Sequence, residues 1–237
     1  MDNDDLSRFS ERLGQEHEAS FYVRRDRSSQ IRDRQSNAIR FTHMSEFSAK
    51  PLRKDWFLKG IVAKAETSAW VGPPGSLKSA LMASLAVSAA SGRDWFGHRS
   101  KAACGVCYLA FERKDLVERR LLAHCGTADR NLPIAVSSEI IDLMKSHTAG
   151  RLVAAIRQEA SRMGHDVGLL IVDTFAKAIA AGGGDENQAR DQGVLFANIA
   201  RIKEETGVHV AIVGHTGRRN ERNAWQQRQL WRCGPDD

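Results

Sequence analysis

The sequence predicts an α/β fold built on a parallel sheet, and three observations carry that prediction. The run Ala69-Trp70-Val71-Gly72-Pro73-Pro74-Gly75-Ser76-Leu77-Lys78-Ser79 takes a strand-like stretch through a Gly/Pro turn into an apolar helix. Beyond it, short apolar runs alternate with helical patterns, the signature of βαβ units with both sheet faces covered. Two of those runs end in an acid, Phe111-Glu112 and Val172-Asp173, as expected at the rim of a parallel sheet.

Residues 1–48 precede this pattern. They alternate acidic and basic side chains with few apolar anchors, as in Arg24-Arg25-Asp26-Arg27, and read as a charged, disordered or loosely helical extension. Thr67 to Val71 is the first predicted strand. The turn after it has the layout of a phosphate-binding loop. Gly72 and Gly75 let the backbone wrap a phosphate, and Pro73, Pro74, Ser76 and Leu77 complete the loop. Lys78 would reach the β- and γ-phosphates of a nucleotide, and the Ser79 hydroxyl would help hold Mg²⁺. Leu77 stands where a second glycine is expected, placing a side chain where the loop curls most closely. The helix from Lys78 to Ser91 is apolar around most of its circumference, so it is expected between layers and not on the surface.

The next strand, Gly105 to Phe111, carries the first half of a C-x-x-C pattern at its edge. Cys104 and Cys107 lie three apart on an extended chain, so their thiols should diverge to opposite faces. That spacing argues against a metal or disulfide site. Helices follow at Leu116 to His124 and at Arg151 to Met163, the latter with Leu152, Ile156, Ala160 and Met163 on one face. Gly168 to Asp173 reads as a central strand. Gln188 to Thr206 is amphipathic with Leu195, Ile199 and Ile202 inward, and Val208 to Val213 is a further buried strand ahead of His215.

The chemistry follows from these strand ends. Asp173 is expected to hold the Mg²⁺ shell opposite Ser79. Glu112, beside the rim of the phosphate-loop strand, is placed to polarise an attacking water. His215 is a candidate sensor of the terminal phosphate. A net charge of +6 suits phosphate contact of either kind, nucleotide or nucleic acid. The charge-free stretch from Ser79 to Gly92 is too short to span a bilayer. The opening Met-Asp-Asn-Asp-Asp has no apolar leader, so no membrane association and a cytoplasmic location are expected.

Together the motifs resemble the RecA-like AAA ATPases of the RepA type, the hexameric replicative helicases of plasmids, phages and mobile elements. The matching segments are Trp70 to Ser79, Tyr108 to Glu112, Ile171 to Thr174, Gly182 to Asn187 and Val213 to Gly217. The resemblance implies an ATP- and Mg²⁺-dependent ATPase with an additional strand in its sheet. It assigns Glu112 as the water-activating acid, Asp173 as the metal acid and His215 as the sensor. It further implies a homo-oligomeric ring whose mobile Gly182–Asn187 loop faces single-stranded DNA in the channel, with DNA replication as the setting. On this reading residues 49–217 form the ATPase domain.

The tail, residues 218–237, departs from the family pattern. It lacks apolar periodicity, and a one-nucleotide shift in the Ala224 codon permits Arg-Gly-Ser-Asn-Ala in its place, so the domain is expected to be truncated by a frameshift. Arg218, Arg219 and Arg222 are then the only late basic cluster available as a source of an arginine finger. The alternative is a nucleotide-binding remnant, or a single-stranded-DNA-binding accessory protein, without turnover. A small-molecule kinase is disfavoured because no Arg-rich lid follows Asp173.

Overall fold

The computed structural model describes residues 41–48, 54–126 and 130–215, and the chain divides into two units, 1–53 and 54–237. Of the first unit, the described part is an exposed stretch leading into one short helix, α1 (Met44–Ser48). The rest of the predicted 1–48 extension and the whole 218–237 tail lie outside the described residues, as do Arg218, Arg219 and Arg222.

The second unit opens with an antiparallel hairpin, β1 (Trp56–Leu58) and β2 (Val62–Ala63), turned at Gly60. A five-stranded parallel sheet follows, built from β3 (Thr67–Gly72), β4 (Gly105–Ala110), β5 (Ile134–Ser137), β6 (Val167–Asp173) and β7 (His209–His215). Its spatial order is β3-β7-β6-β4-β5. The predicted α/β P-loop fold is therefore present, with β7 between the phosphate-loop strand and the Asp173 strand and β3 itself at one edge. Glu112 does not lie beside the phosphate-loop strand, because β7 and β6 both separate β3 from β4.

Helices cover both faces, as parallel strands with no solvated side require. Along β4, Val106, Tyr108 and Ala110 enter one core with Leu169 and Ile171 of β6. That core is closed by α2 (Lys78–Ser91) and α3 (Lys114–His124) through Met82, Leu85, Val117 and Leu121. Cys107 and Leu109 enter the opposite core with Leu170 and Val172. There the cover is α4 (Ser146–Met163), α5 (Phe175–Ala180) and α6 (Ala189–Thr206), contributing Leu152, Ile156, Ile179, Leu195, Ile199 and Ile202. The period of two along each strand sorts side chains between layers. Cys104 falls in the first core and Cys107 in the second, as their spacing predicts. Burial pushes both thiols up to about 12.

Four elements, β1, β2, β5 and α5, were not legible in the sequence. The β1–β2 hairpin and the edge strand β5 are too short for a period of two to register, and α5 is a single short helix directly after the β6 rim. Helix α4 starts at Ser146, five residues before Arg151; Ser146, His147, Thr148 and Gly150 are weak helix formers, and burial of Thr148 and Ala149 anchors this first turn. Strand β7 runs on through His215, which is its last residue and exposed.

The hairpin is joined to the sheet by a buried histidine. His209 Nδ1 bonds the Ala63 carbonyl at 3.0 Å, and its Nε2 lies 2.8 Å from Ser68 Oγ, which also accepts from Trp70 Nε1 at 2.9 Å. The consistent arrangement is a neutral ring, protonated on Nδ1 and accepting the Ser68 hydroxyl on Nε2.

Candidate nucleotide site

The strand register aligns the chemically active residues. Gly72 pairs with His215, Val213 with Asp173, and Asp173 with Ala110, so the C-terminal ends of four neighbouring strands share one rim. A cleft of about 320 Å³ opens there. Residues 74–79, Glu112, Asp173 and His215 all line it, as do Arg113 and Arg120 of the α3 segment. The geometry thus brings together Lys78, Ser79, Glu112, Asp173 and His215, the side chains singled out in the sequence. Arg113 and Arg120 escaped sequence reasoning. Their signal was the helical spacing 113, 116, 117 and 120, which puts them on one face with Leu116 and Val117, two further lining residues.

The loop from Gly72 to Ser79 is shaped by its small residues. Gly75 adopts φ +80, open only to glycine at low cost, and a Cβ on Gly72 would stand 2.9 Å from Ser76 Oγ. Leu77 adopts φ 61 and ψ 16, left-handed like a glycine, immediately before α2. Its side chain is 71% exposed and does not crowd the interior of the loop, contrary to expectation. The departure from the glycine pattern therefore falls on the backbone, at a cost of about 1–2 kcal/mol.

Lys78 threads back through the loop. Its ammonium donates to the carbonyls of Gly72 at 2.8 Å and Pro73 at 2.9 Å, and lies 3.3 Å from both Ser76 Oγ and His215 Nδ1. Burial holds its pKa below the usual lysine value, with Asp173 and Glu112 opposing that shift. The unpaired N–H groups of the first turn of α2 add the positive end of a helix to the same volume. Three cations, Lys78, Arg113 and Arg120, thus face two carboxylates, an arrangement that favours a polyanion.

The carboxylates are held from across the sheet. Asp173 is 5% exposed and accepts from the fully buried Tyr108 hydroxyl at 2.7 Å through Oδ2. Burial, reinforced by the Asp173 charge, pushes the Tyr108 phenol well up, so it remains a donor. Glu112 Oε1 accepts from Thr174 Oγ1 at 3.1 Å. The Asp173–Thr174 peptide bond is cis.

The donor set suits a hard divalent cation carried by a nucleotide. Asp173 lines the cleft with its Oδ2 bonded to Tyr108, and Ser79 lines the same cleft with a hydroxyl, both oxygen ligands. Among the described residues no group of three or more His, Cys, Asp or Glu gathers into a metal site of its own. Phosphate oxygens would have to supply much of the coordination shell, which is the usual condition of Mg²⁺ at phosphate sites.

The Gly182–Asn187 segment is a set of turns, pinned by bonds from Asp185 N to Asp191 Oδ2 and from Gln192 Nε2 to the Glu186 carbonyl, at 2.9 and 2.7 Å. A Cβ on Gly182 would collide with the Asp142 carboxylate, so the glycine sets the close approach of these two loops. Thr216 and Gly217, the end of the last motif, lie outside the described residues. No helix among the described residues is long and apolar enough to cross a membrane.

A family model described as an AAA domain matches residues 32–221. No curated protein matches the chain. Among solved structures, a KaiC-like protein from the hyperthermophilic archaeon Pyrococcus horikoshii OT3 is similar at 13% identity and a TM-score of 0.44, over 70% of this chain and 72% of that one.

Proposed function

The chain belongs to the AAA domain family of P-loop ATPases, and from that premise we propose that it binds Mg²⁺–ATP in the strand-end cleft and hydrolyses it. The observation that carries the proposal is the convergence of the phosphate loop, Glu112, Asp173 and His215 on one cleft. Entering phosphates would draw the Lys78 ammonium away from the Gly72 and Pro73 carbonyls and onto the β- and γ-oxygens. Ser79 and Asp173 would hold Mg²⁺, which offsets charge on the phosphates. Glu112 would orient a water in line with the terminal phosphate, and Lys78 would stabilise the charge that develops on transfer. His215, within 3.3 Å of the Lys78 ammonium, would register whether the terminal phosphate is present.

Coupling of this cycle to single-stranded DNA, in a homo-oligomeric ring of the RepA helicase type, is the finer part of the proposal. It is supported by the order of the motifs and by the turns formed at Gly182–Asn187. The competing reading is nucleotide binding without turnover. ATP binding and DNA-stimulated phosphate release, measured for the wild type and Lys78→Ala, separate the two. Binding that Lys78→Ala abolishes, together with phosphate release, supports the ATPase. Tight binding with no release in any condition supports the alternative.

A further inference from the structure

The two hydrogen bonds that tie the acid-bearing strands together run in opposite directions. β4 sends Tyr108 to Asp173 at the end of β6, and the β6 end returns Thr174 to Glu112 just beyond β4. We propose that Tyr108 and Thr174 are a reciprocal pair of positioning residues, Tyr108 aiming Asp173 at the metal and Thr174 aiming Glu112 at the attacking water. The inference rests on the ATPase reading above and deepens it.

Strand register explains the first contact. Tyr108 pairs with Ile171, so Asp173 is its diagonal neighbour two residues on, on the same face and within reach of an aromatic side chain. The ring is fully buried and the bond is 2.7 Å, so the phenol has little freedom to choose another acceptor. Occupying Oδ2 fixes the carboxylate plane and leaves Oδ1 as the oxygen for the cleft. A carboxylate without that bond would turn about its last torsion and present either oxygen.

The second contact solves a different problem. Glu112 lies two residues outside its strand, exposed, on a side chain whose immobilisation costs on the order of 1–2 kcal/mol. Thr174 is 3% exposed, held at the strand end, and its hydroxyl reaches out to Oε1 at 3.1 Å. The ladder continues between the two segments through Phe111 N to the Asp173 carbonyl at 2.8 Å, so both contacts hang on one rigid pair of strands. Each strand therefore orients the acid of the other, and separating their ends would misplace both acids at once.

The two residues predict different losses in the full-length chain. With a fluorescent ADP analogue as probe, Tyr108→Phe should keep the wild-type affinity in EDTA and lose about tenfold of the affinity that Mg²⁺ adds. Thr174→Ala should bind Mg²⁺–nucleotide like the wild type, with kcat for ATP down about tenfold at unchanged KM, and Thr174→Ser should restore it. Equal losses in EDTA and in Mg²⁺ for Tyr108→Phe, or an unchanged kcat for Thr174→Ala, would overturn the inference.

A second measurement leaves the packing intact. The sequence contains two tyrosines, Tyr22 and Tyr108, so 3-fluorotyrosine in a Tyr22→Phe chain yields one ¹⁹F signal, from Tyr108. Adding Mg²⁺ to the ADP-bound chain should shift that signal, and the same addition to a chain also carrying Asp173→Asn should not. A signal that ignores Mg²⁺ in both chains refutes the role of Tyr108. Failure of the wild type to bind any nucleotide would instead remove the ATPase reading itself, and the EDTA titration shows that first.

Discussion

Acidification should weaken the fold through one residue, His209. The ring is buried between the β1–β2 hairpin and the sheet, and burial lowers its pKa from 6.5 to about 4, opposed by the Ala63 carbonyl and assisted by the Lys203 charge. A second ring proton would face the Ser68 oxygen that already accepts from Trp70, leaving the serine hydrogen without its acceptor. The folded chain therefore holds the ring neutral while the unfolded chain protonates it near pH 6.5. Stability is full above pH 6.5, falls as the pH drops toward 4, and levels off below that. The interval, at roughly 1.4 kcal/mol for each pH unit, comes to about 3 kcal/mol. Against a total of about 5–15 kcal/mol this is a large share. The assay is urea unfolding followed by tryptophan fluorescence between pH 7.5 and 4, for the wild type and His209→Gln. With a urea dependence of about 1–3 kcal/mol per molar, the wild-type midpoint should fall by about 1–3 M. His209→Gln should start lower and lose distinctly less across the same window. Parallel curves for the two proteins would refute the reasoning.

Other consequences are equally open to measurement. Gly168→Ala places a Cβ 2.6 Å from the Phe57 ring and 2.7 Å from Cys104 Cβ, so unfolding free energy should drop by about 1–3 kcal/mol in a denaturant titration. Leu77→Gly relieves the left-handed strain at little loss of burial, partly offset by unfolded-chain entropy. It should raise stability by up to about 1 kcal/mol, read as a higher thermal midpoint. Glu112→Gln should bind Mg²⁺–ATP at wild-type affinity while phosphate release slows by about 10²–10⁴, measured in single-turnover experiments.

Much of this site was readable because phosphate chemistry constrains local sequence. Gly72, Gly75, Lys78 and Ser79 sit within one short loop, and apolar runs that end in Asp173 or Glu112 announce a sheet rim. Strand order was not readable from the residues alone. Nothing local to Val208–His215 says that this last strand inserts beside the first, and that insertion is what puts His215 next to Lys78. Tyr108 was hidden for a related reason. In a run such as Val106-Cys107-Tyr108-Leu109 it reads as core, and only the register across β4 and β6 shows that its hydroxyl meets Asp173. Leu77 was legible as a departure from glycine but not in where its cost falls. Its sequence position suggested a side chain where the loop curls most closely, whereas that side chain is exposed and the cost falls on the backbone.

Cys104 and Cys107, separated by two residues in the chain and by the thickness of the sheet in space, offer a way to watch the molecule come apart. Each thiol should be silent to alkylating reagents while its own layer is closed, because burial keeps it protonated and out of reach. Labelling of Cys104 reports loss of the helices that carry the phosphate loop, and labelling of Cys107 reports loss of the opposite helices. Equal rates would mean that the two halves unlatch as one cooperative body. A faster Cys104 would mean that the loop-bearing layer breathes alone, and that nucleotide, by gripping that layer, sets which half opens first.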